Sequence, residues 1–295
     1  MSEKAASTAY DVMALIALEQ LRPVDTRIIR DELAYQMLPL YTKMQINVLR
    51  LKALRQGVIK FKEGRKPGIQ GSLLCRKRYI DDKLVESVDT GIDSVVILGS
   101  GLDTRAYRIP KLSTIKVYEV DLPTNIAYKK DKLQQLYGNV PSHVTLVPID
   151  FDRQELESVL TSHSYSFDQR SFFIWEGVTQ YLAEAGVRNI FEFLAKAKFG
   201  SRMIFTYILK EFLNGERTYG LDIVYKMARV TEEFWHFGLH PRDVNTFVEE
   251  FSWKVLEQPT TDDLRERYIL QVGRTEPITE TERMVYAEKT SKELV

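Results

Sequence analysis

The stretch that decides the fold is SVVILGSGLDTRAYRIP, residues 94–110. Its first residues form an apolar run typical of a buried β-strand, and this run leads directly into the turn Gly99–Ser100–Gly101. In a doubly wound sheet a nucleotide binds where the first strand ends, and glycines there let the backbone approach a ligand that a Cβ would block. The stretch therefore predicts the first strand of an α/β sheet with a ligand site at its end.

The rest of the middle of the chain alternates short β-branched runs with helical stretches. The predicted strands of this part are Ser94–Gly99, Ile115–Asp121, Val144–Ile149, Phe172–Trp175 and Met203–Tyr207. Two later runs, Trp253–Glu257 and Tyr268–Val272, are predicted to close the sheet as an antiparallel pair. This alternation indicates a doubly wound, Rossmann-like α/β sheet of about seven strands.

The remaining segments give the predicted domain organisation. Residues 1–90 have helical periodicity and are expected to form a helical region that covers the cleft, interrupted by a loop at 57–71 that holds four glycines and a proline. Residues 91–275 are expected to form the ligand-binding domain, with 208–250 as a helical lid or substrate insertion. Residues 276–295 are expected to be a polar C-terminal tail.

Composition excludes several classes of protein. The 295 residues include 41 basic residues (lysine and arginine) and 41 acidic residues (aspartate and glutamate), so the formal net charge is zero. A general nucleic-acid binder usually has an excess of basic residues, which this chain lacks. With Cys75 as the only cysteine, an intramolecular disulfide and a cysteine zinc cluster are both excluded, and we expect no metal site. No apolar run approaches a membrane span, and the N-terminus lacks the features of a signal peptide. We therefore expect a cytoplasmic protein.

The residues after the turn indicate which nucleotide binds. A pyrophosphate fingerprint needs a third glycine where Thr104 stands, and Asp103 before it would repel a pyrophosphate. S-adenosylmethionine presents an ammonium and a sulfonium instead, which nearby carboxylates favour. Glu119 follows Gly99 by twenty residues, as a ribose-binding acid should, and Asp121 shares its face of the strand. The sequence favours S-adenosylmethionine over NAD, and the alternative is a tight turn without a ligand.

Four motifs then resemble those of one family. LGSGLDTRAYR at 98–108, YEVDLP at 118–123 and IWEGVTQYL at 174–182 resemble the leucine carboxyl methyltransferase-like family of class I S-adenosylmethionine-dependent methyltransferases. CRKRYIDD at 75–82 is similar to the upstream arginine motif of that family. The resemblance covers roughly residues 20–275.

The resemblance implies roles by position. Arg76, rather than Arg78, is expected to pair with the methionine carboxylate of S-adenosylmethionine, and Glu176 with its ammonium. The other implied cofactor-binding residues are Gly99, Ser100 and Gly101 around the methionine part, Asp121 with Glu119 as its substitute at the ribose, and Asp150 and Phe151 at the adenine. Alternatively, Arg76 belongs to a solvated charge run and Asp150 caps a helix. A carboxylate at a strand end is costly to bury without a cation, and the ammonium of the cofactor is the partner expected for Glu176. Without the cofactor, Glu176 is therefore expected to lack a cation partner and to be strained.

Methyl transfer from a sulfonium needs mainly in-line positioning of the nucleophile, and a base only for some acceptors. The candidate catalytic bases are Tyr181, Tyr207 and His236, with His240 as a further one. Residues 205–240 hold eight aromatic side chains, roughly double the chain average, which fits an apolar or aromatic small-molecule substrate or, equally, ordinary core.

The function predicted is methylation of the oxygen, nitrogen or carbon of such a molecule, as in natural-product biosynthesis. The alternatives are a protein C-terminal carboxyl methyltransferase and a cofactor-binding protein without activity. Among partners we expect a small-molecule substrate, and neither nucleic acid nor a membrane. The apolar residues before Arg22 should cover their own cleft or a second subunit, and we expect a homo-oligomer.

Overall fold

The computed structural model describes residues 3–151, 153–230 and 235–291. In these residues one sheet is formed by eight strands: β1 Ser94–Leu98, β2 Lys116–Asp121, β3 Val144–Pro148, β4 Ser171–Trp175, β5 Arg202–Leu209, β6 Gly238–Leu239, β7 Trp253–Glu257 and β8 Glu282–Lys289. Their order is β3-β2-β1-β4-β5-β8-β7, and β6 pairs with β5. Strands β1 to β6 pair in parallel, whereas β8 runs antiparallel to both β5 and β7. The predicted doubly wound sheet is confirmed.

The helices surround this sheet. They are α1 Glu3–Glu19, α2 Leu33–Met37, α3 Leu40–Val48, α4 Lys52–Arg65, α5 Ile69–Asp89, α6 Arg105–Arg108, α7 Pro123–Tyr137, α8 Leu156–Ser162, α9 Glu184–Leu194, α10 Lys210–Leu213, α11 Asp222–Val230, α12 Val244–Glu249 and α13 Thr261–Leu264. In the described part of the chain, none of them is both long and apolar enough to cross a membrane.

The strand order places a crevice between β1 and β4. The chain leaves β1 toward β2 and β3 on one side and continues from β4 toward β5 on the other. Ligands of doubly wound sheets bind outside the carboxyl ends of the two strands where the order reverses. The turn at 99–101 follows β1 and Glu176 follows β4, so both lie at this position.

The core is divided between the two faces of the sheet because side chains alternate along each strand. All residues of β1 are buried: Val95 and Ile97 pack with the N-terminal helices on one face, and Val96 and Leu98 pack with α9 and α12 on the other. The near-continuous apolar run that predicted this strand is thus explained by burial on both faces.

The N-terminal helix packs on the chain's own core. Met13, Ile16 and Ala17 of α1 are 3%, 1% and 2% exposed and belong to the same cluster as Val95 and Ile97 of β1. The apolar residues that suggested a second subunit are therefore covered within one chain. The homo-oligomer stays a prediction, but this observation no longer supports it.

The predicted loop at 57–71 is wrong. Helix α4 runs through Gly57 and Gly64, and α5 begins at Ile69. Of the four glycines in this stretch, only Gly68 takes a left-handed conformation, with φ +76°. It follows Pro67 and separates the two helices. The glycine count was misleading because a glycine weakens a helix without ending it.

The closing pair of strands is partly wrong. Tyr268–Val272 does not form a strand; these residues belong to a π-helical turn, Arg265–Ile269, and a 3₁₀ turn, Leu270–Val272. The strand that pairs with β7 is β8, inside the segment expected to be a polar tail. Four consecutive residues of β8 are buried, because this strand lies between β5 and β7 in the sheet rather than at its edge.

Candidate functional site

The turn after β1 is hydrogen-bonded to β2. The backbone N–H groups of Gly99 and Ser100 donate to the carbonyl of Val120 at 2.8 and 3.0 Å. The N–H of Gly101 donates to Asp121 Oδ2 at 2.5 Å. Gly99 and Gly101 have φ of +69° and +44°, a region that glycine enters without steric cost. The turn has the geometry that the sequence predicted, while its role in binding stays a prediction.

Asp121 lies beside this turn, as expected for a residue at the end of β2. It is 2% exposed, and its second oxygen accepts from Leu122 N and Asn125 Nδ2, both at 2.7 Å. With the bond from Gly101, the carboxylate accepts three hydrogen bonds from this chain. A carboxylate has about four acceptor positions, so one is left for a ligand hydroxyl.

Two side chains lie directly over the glycines. A Cβ on Gly99 would be 2.4 Å from Val178 Cγ2, a distance that real atoms do not reach. A Cβ on Gly101 would be 3.3 Å from Ala9 Cβ. Since Ala9 belongs to α1, the N-terminal helix lies against the turn, which is consistent with a helical region that covers the cleft.

Glu176 contacts three cations at the end of β4. Its Oε1 accepts from Arg76 Nε at 2.7 Å, and its Oε2 accepts from Lys77 Nζ and Arg105 Nη1, both at 3.0 Å. Arg76 also donates to Glu282 at the start of β8. The side chains of Arg76 and Glu176 are 9% and 6% exposed. The structure thus brings together the two residues expected to bind the charged ends of methionine.

The protonation of Glu176 follows from these contacts. Burial opposes ionisation, but the positive charges of Lys77, Arg76 and Arg105 outweigh it and keep the pKa of Glu176 well below its ordinary value. The expectation that Glu176 lacks a cation partner without a ligand is therefore wrong. The cations come from α5 and α6 of this chain. Sequence patterns do not show these contacts, because α5 and α6 are far from Glu176 along the chain.

Arg105 is the most buried of the three cations that contact Glu176. It is fully buried and its guanidinium donates to Asp81 at 2.7 Å, to Asp103, and to the carbonyl of Lys77 at 3.4 Å. Burial opposes charging, but Asp103, Glu176 and Asp81 raise the pKa of Arg105. Asp103, which we interpreted as unfavourable to a pyrophosphate, is thus neutralised by Arg105 within this chain.

Three residues that pair with Glu176 or Arg76 were not predicted from the sequence: Lys77, Arg105 and Glu282. Lys77 and Arg105 lie inside the quoted motifs, so their position in a motif was an available signal. Glu282 lies in the segment taken for a tail, and only the pairing of β8 with β5 brings it to Arg76.

Glu119 lies beneath the site and is closed off. It is fully buried, 2.8 Å from Lys129 Nζ, and accepts from the hydroxyl of Tyr107 at 2.6 Å. Burial raises the pKa of Glu119, although Lys129 and Tyr107 oppose this rise. These partners hold Glu119 as an internal ion-pair partner of α7, which does not favour it as the substitute ribose ligand; that role stays a prediction.

Asp150 follows β3 and is half-buried. Its carboxylate is 3.6 Å from Arg153 Nε, and its N–H donates to Gln154 Oε1 at 2.9 Å. It is not a helix cap, since α8 begins at Leu156 after Glu155. Phe151 is half-buried and packs against the core. Both lie at the carboxyl edge of the sheet, so their proposed contact with adenine stays open.

The candidate bases differ in their surroundings. Tyr207 of β5 is fully buried, its hydroxyl donates to Gln258 Oε1 at 3.0 Å, and burial raises its pKa, so its surroundings do not favour it as a base; the role stays a prediction. Tyr181 is half-buried and ends a 3₁₀ turn that follows Glu176. His236 is exposed, and its backbone N–H donates to the carbonyl of Gln180 at 2.7 Å.

The aromatic insertion is largely core. The rings of Phe205, Tyr207, Phe212 and Phe237 are at most 3% exposed and pack in the cluster around β4 and α9. Tyr219, Tyr225 and Trp235 are half-buried, and the rings of Tyr225 and Trp235 lie 5.6 and 5.8 Å from that of Phe212. Phe234 lies outside the described residues. Four of the eight aromatic residues at 205–240 therefore belong to the core, and two of these, Phe205 and Tyr207, are part of β5. The lid at 208–250 stays a prediction.

Two polar atoms at the crevice lack a partner within the described residues. They are Ser100 Oγ, in the turn after β1, and Gln180 Oε1, in the segment after β4. Ser100 and Gln180 are 4% and 6% exposed. A buried polar atom without a hydrogen bond is costly, so both atoms are suited to contact a polar ligand at this place.

Comparison with known proteins gives the same fold and one family. A sequence profile described as leucine carboxyl methyltransferase matches residues 9–195. A candidate methyltransferase from Thermobifida fusca has a similar structure, with TM-score 0.55, 15% identity, and coverage of 93% of this chain and 98% of the other. At that identity the likeness shows the fold alone.

Two relatives by sequence are named as candidate S-adenosyl-L-methionine-dependent methyltransferases. One, from Mycobacterium tuberculosis, is 30% identical over 66% of this chain and 64% of its own length. The other, from Bacillus subtilis, is 26% identical over 66% of this chain and 65% of its own length. The chain thus matches slightly less than two thirds of the length of either relative.

Proposed function

Since the chain belongs to the leucine carboxyl methyltransferase family, we propose that it is an S-adenosylmethionine-dependent methyltransferase that acts on an apolar or aromatic small molecule. The observation that carries the proposal is the pair formed by Arg76 and Glu176, at the carboxyl ends of the two strands where the sheet order reverses. The methionine part of the cofactor carries a carboxylate and an ammonium, so its site needs a cation for the first and an anion for the second, side by side.

The residues of the crevice fit this cofactor. Arg76 would bind the carboxylate, to which its guanidinium fork is suited, and Lys77 adds a second positive charge. Glu176, kept ionised by its neighbours, would accept from the ammonium. Ser100 Oγ and the open acceptor position of Asp121 would bind further polar groups of the cofactor. When bound, S-adenosylmethionine supplies a methyl group on a sulfonium, which leaves as a neutral thioether.

The chain's own part in transfer is positioning and exclusion of water. Val178 and α1 lie over the turn, so they would shield the reacting atoms from solvent. Among the base candidates that are not fully buried, Tyr181, His236 and His240, the two histidines offer an imidazole, the most frequent general base in enzymes. Tyr181 is nearer along the chain to Glu176. A carboxylate acceptor would need none of them, because it is already ionised.

The acceptor class rests on the half-buried aromatic rings. Trp235 precedes His236, whose backbone N–H donates to the carbonyl of Gln180, so this part of the insertion adjoins the segment that follows β4. The ring of Trp235 itself lies 5.8 Å from that of Phe212. Such rings favour an apolar acceptor. The family name favours the second candidate, a protein C-terminal carboxylate.

Cofactor binding is tested by calorimetry with S-adenosylhomocysteine. Arg76→Ala should weaken binding by about 1.5–3 kcal/mol, the range for a hydrogen bond to a charged group, and Arg76→Lys by less because it keeps the charge. The matched control is Arg78→Ala, since Arg78 is exposed and pairs with Asp82. Unchanged affinity in a folded Arg76→Ala protein, or binding of NAD instead, would contradict the proposal.

The acceptor class is tested with methyl-labelled S-adenosylmethionine. Labelling of aromatic small molecules is the expected result. Peptides with a free C-terminal carboxylate, each compared with its amidated twin, test the second candidate. Label on the free peptides alone would replace the small-molecule proposal by carboxyl methylation.

A further inference from the structure

Helix α3 presents its apolar residues to solvent. Its buried residue is Ile46, at 2% exposure. At about 100° per residue, four apolar side chains lie within an arc of about 100° on the opposite side of the helix. Their exposures are 74% for Leu40, 72% for Tyr41, 61% for Met44 and 57% for Val48. This is the reverse of the usual surface helix, whose apolar stripe faces the core.

Helix α4 also exposes apolar side chains to solvent. None of its residues is buried, and Leu54 and Phe61 are 48% and 62% exposed. Lys60 and Lys62 stand on either side of Phe61 in the sequence, and the guanidinium of Arg65 lies 4.8 Å from the centre of its ring. Exposed apolar area of this extent marks an interaction site in a folded protein.

The same segment is strongly basic, although the chain as a whole is neutral. Residues 40–66 contain eight cations and one acid, Glu63, which gives 8 − 1 = +7 against zero for the whole chain. The cations are Lys43, Arg50, Lys52, Arg55, Lys60, Lys62, Arg65 and Lys66. Within the part of the chain that the structure describes, none of them forms an ion pair with a carboxylate.

We propose that residues 40–66, the α3–α4 surface, bind an anionic lipid bilayer. Exposed leucine and phenylalanine beside lysine and arginine is the composition of helices that lie in the membrane interface, where acyl chains accept the apolar residues and headgroups the cations. This departs from the expectation of no membrane partner, which rested on the lack of a spanning segment. It does not depend on the proposed function.

Other occupants fit this surface less well. In a two-fold dimer the same surface meets itself, so the charge of +7 would face a second charge of +7. A nucleic acid would satisfy the cations but leave the apolar side chains of α3 without a partner.

The α3–α4 surface is joined to the crevice through the chain. Pro67 follows α4 and lies against the insertion, since its Cγ is 3.4 Å from the position of a Cβ on Gly220. Helix α5, which carries Arg76, begins two residues after Pro67. A bilayer bound at α4 would therefore lie near the segment that precedes the crevice.

The test is co-sedimentation of the full chain with vesicles. Vesicles of phosphatidylcholine alone are compared with vesicles that also contain phosphatidylglycerol, at low and at high salt. We expect binding to the anionic vesicles only, weakened by salt. The pair Lys60→Glu and Lys62→Glu should weaken partitioning at least about 30-fold, since each cation near the surface contributes about fivefold. Phe61→Ser should weaken it about tenfold.

Matched controls use residues outside this surface. Phe199→Ser alters a phenylalanine of similar exposure, 63%, and Lys254→Glu alters an exposed lysine of β7; both should leave partitioning unchanged. Far-UV circular dichroism and the thermal unfolding midpoint check that each variant is folded. Three results would overturn the proposal: no binding to anionic vesicles, equal loss in the controls, or a dimer in light scattering that Phe61→Ser dissociates while vesicles stay unbound.

Discussion

Glu176 is the residue on which the charges of the crevice depend. Three cations from α5 and α6 contact one buried carboxylate, and each would be left partly uncompensated without it. Removing one partner of a buried ion pair costs about 3–5 kcal/mol, because a buried charge loses its counterion. Glu176 therefore stabilises the protein even when no ligand is bound.

The first prediction concerns this stabilisation. Glu176→Gln should lower the free energy of unfolding of the ligand-free protein by about 3 kcal/mol. The matched control is Glu184→Gln, whose carboxylate is 65% exposed and pairs with Arg188, and it should cost less than about 0.5 kcal/mol. Urea denaturation measures both. Equal effects of the two variants would show that Glu176 is not held by its three cations.

The pH dependence of this effect has a defined sign. The folded state keeps the pKa of Glu176 below its ordinary value of 4.5, so it binds fewer protons than the unfolded state in acid. The stabilisation is fully present above the unfolded pKa and is lost as the pH falls toward the folded pKa. The difference between the wild type and Glu176→Gln should therefore be largest at neutral pH and shrink below about pH 4.5. A constant difference across this range would contradict the assignment.

At the scale of the element, β8 has two roles. It completes the sheet between β5 and β7, and it brings Glu282 to Arg76. Val285→Ala in this strand should lower the free energy of unfolding by about 2 kcal/mol, because Val285 is fully buried. Val24→Ala is the control, since Val24 is 52% exposed and should change stability by less than about 0.5 kcal/mol. If Val285→Ala is as mild as the control, the segment behaves as the tail that the sequence suggested.

At the scale of the whole molecule, the N-terminal helices and the sheet share one core. Alternate residues of β1 pack with α1 and α5 on one face and with α9 and α12 on the other. We expect both parts to unfold together, because neither apolar face of the sheet is covered without its helices. Far-UV circular dichroism, which reports all helices, should show the same urea midpoint as tryptophan fluorescence, which reports Trp175 and Trp253 in the β4–α9 cluster and Trp235 packed against it. Two separate midpoints would make residues 1–90 an independent unit.

Local patterns along the chain predict the sheet, the crevice and the positions of several candidate site residues. Apolar runs ending in the turn at 99–101 and in Glu176 place these residues correctly, because strand ends and glycine turns are local properties of the chain. Asp121 follows from the end of β2 in the same way, whereas Arg76, which lies in α5, was indicated only by the resemblance of its motif to the family. The wrong strand at Tyr268–Val272 had the β-branched and aromatic pattern of a strand, but it found no partner in the sheet.

Which charged side chains meet depends on how the elements pack. Arg76 and Glu282 are separated by 206 residues, and Arg105 and Glu176 by 71, so their pairing depends on the order of the strands rather than on any motif. The same is true of burial: Glu119 and Tyr207 have residue types suited to a site, but the helices packed on the sheet close them off. Burial and ion pairing are properties of the packed molecule, since both depend on what lies across the gap between elements that are distant in the chain.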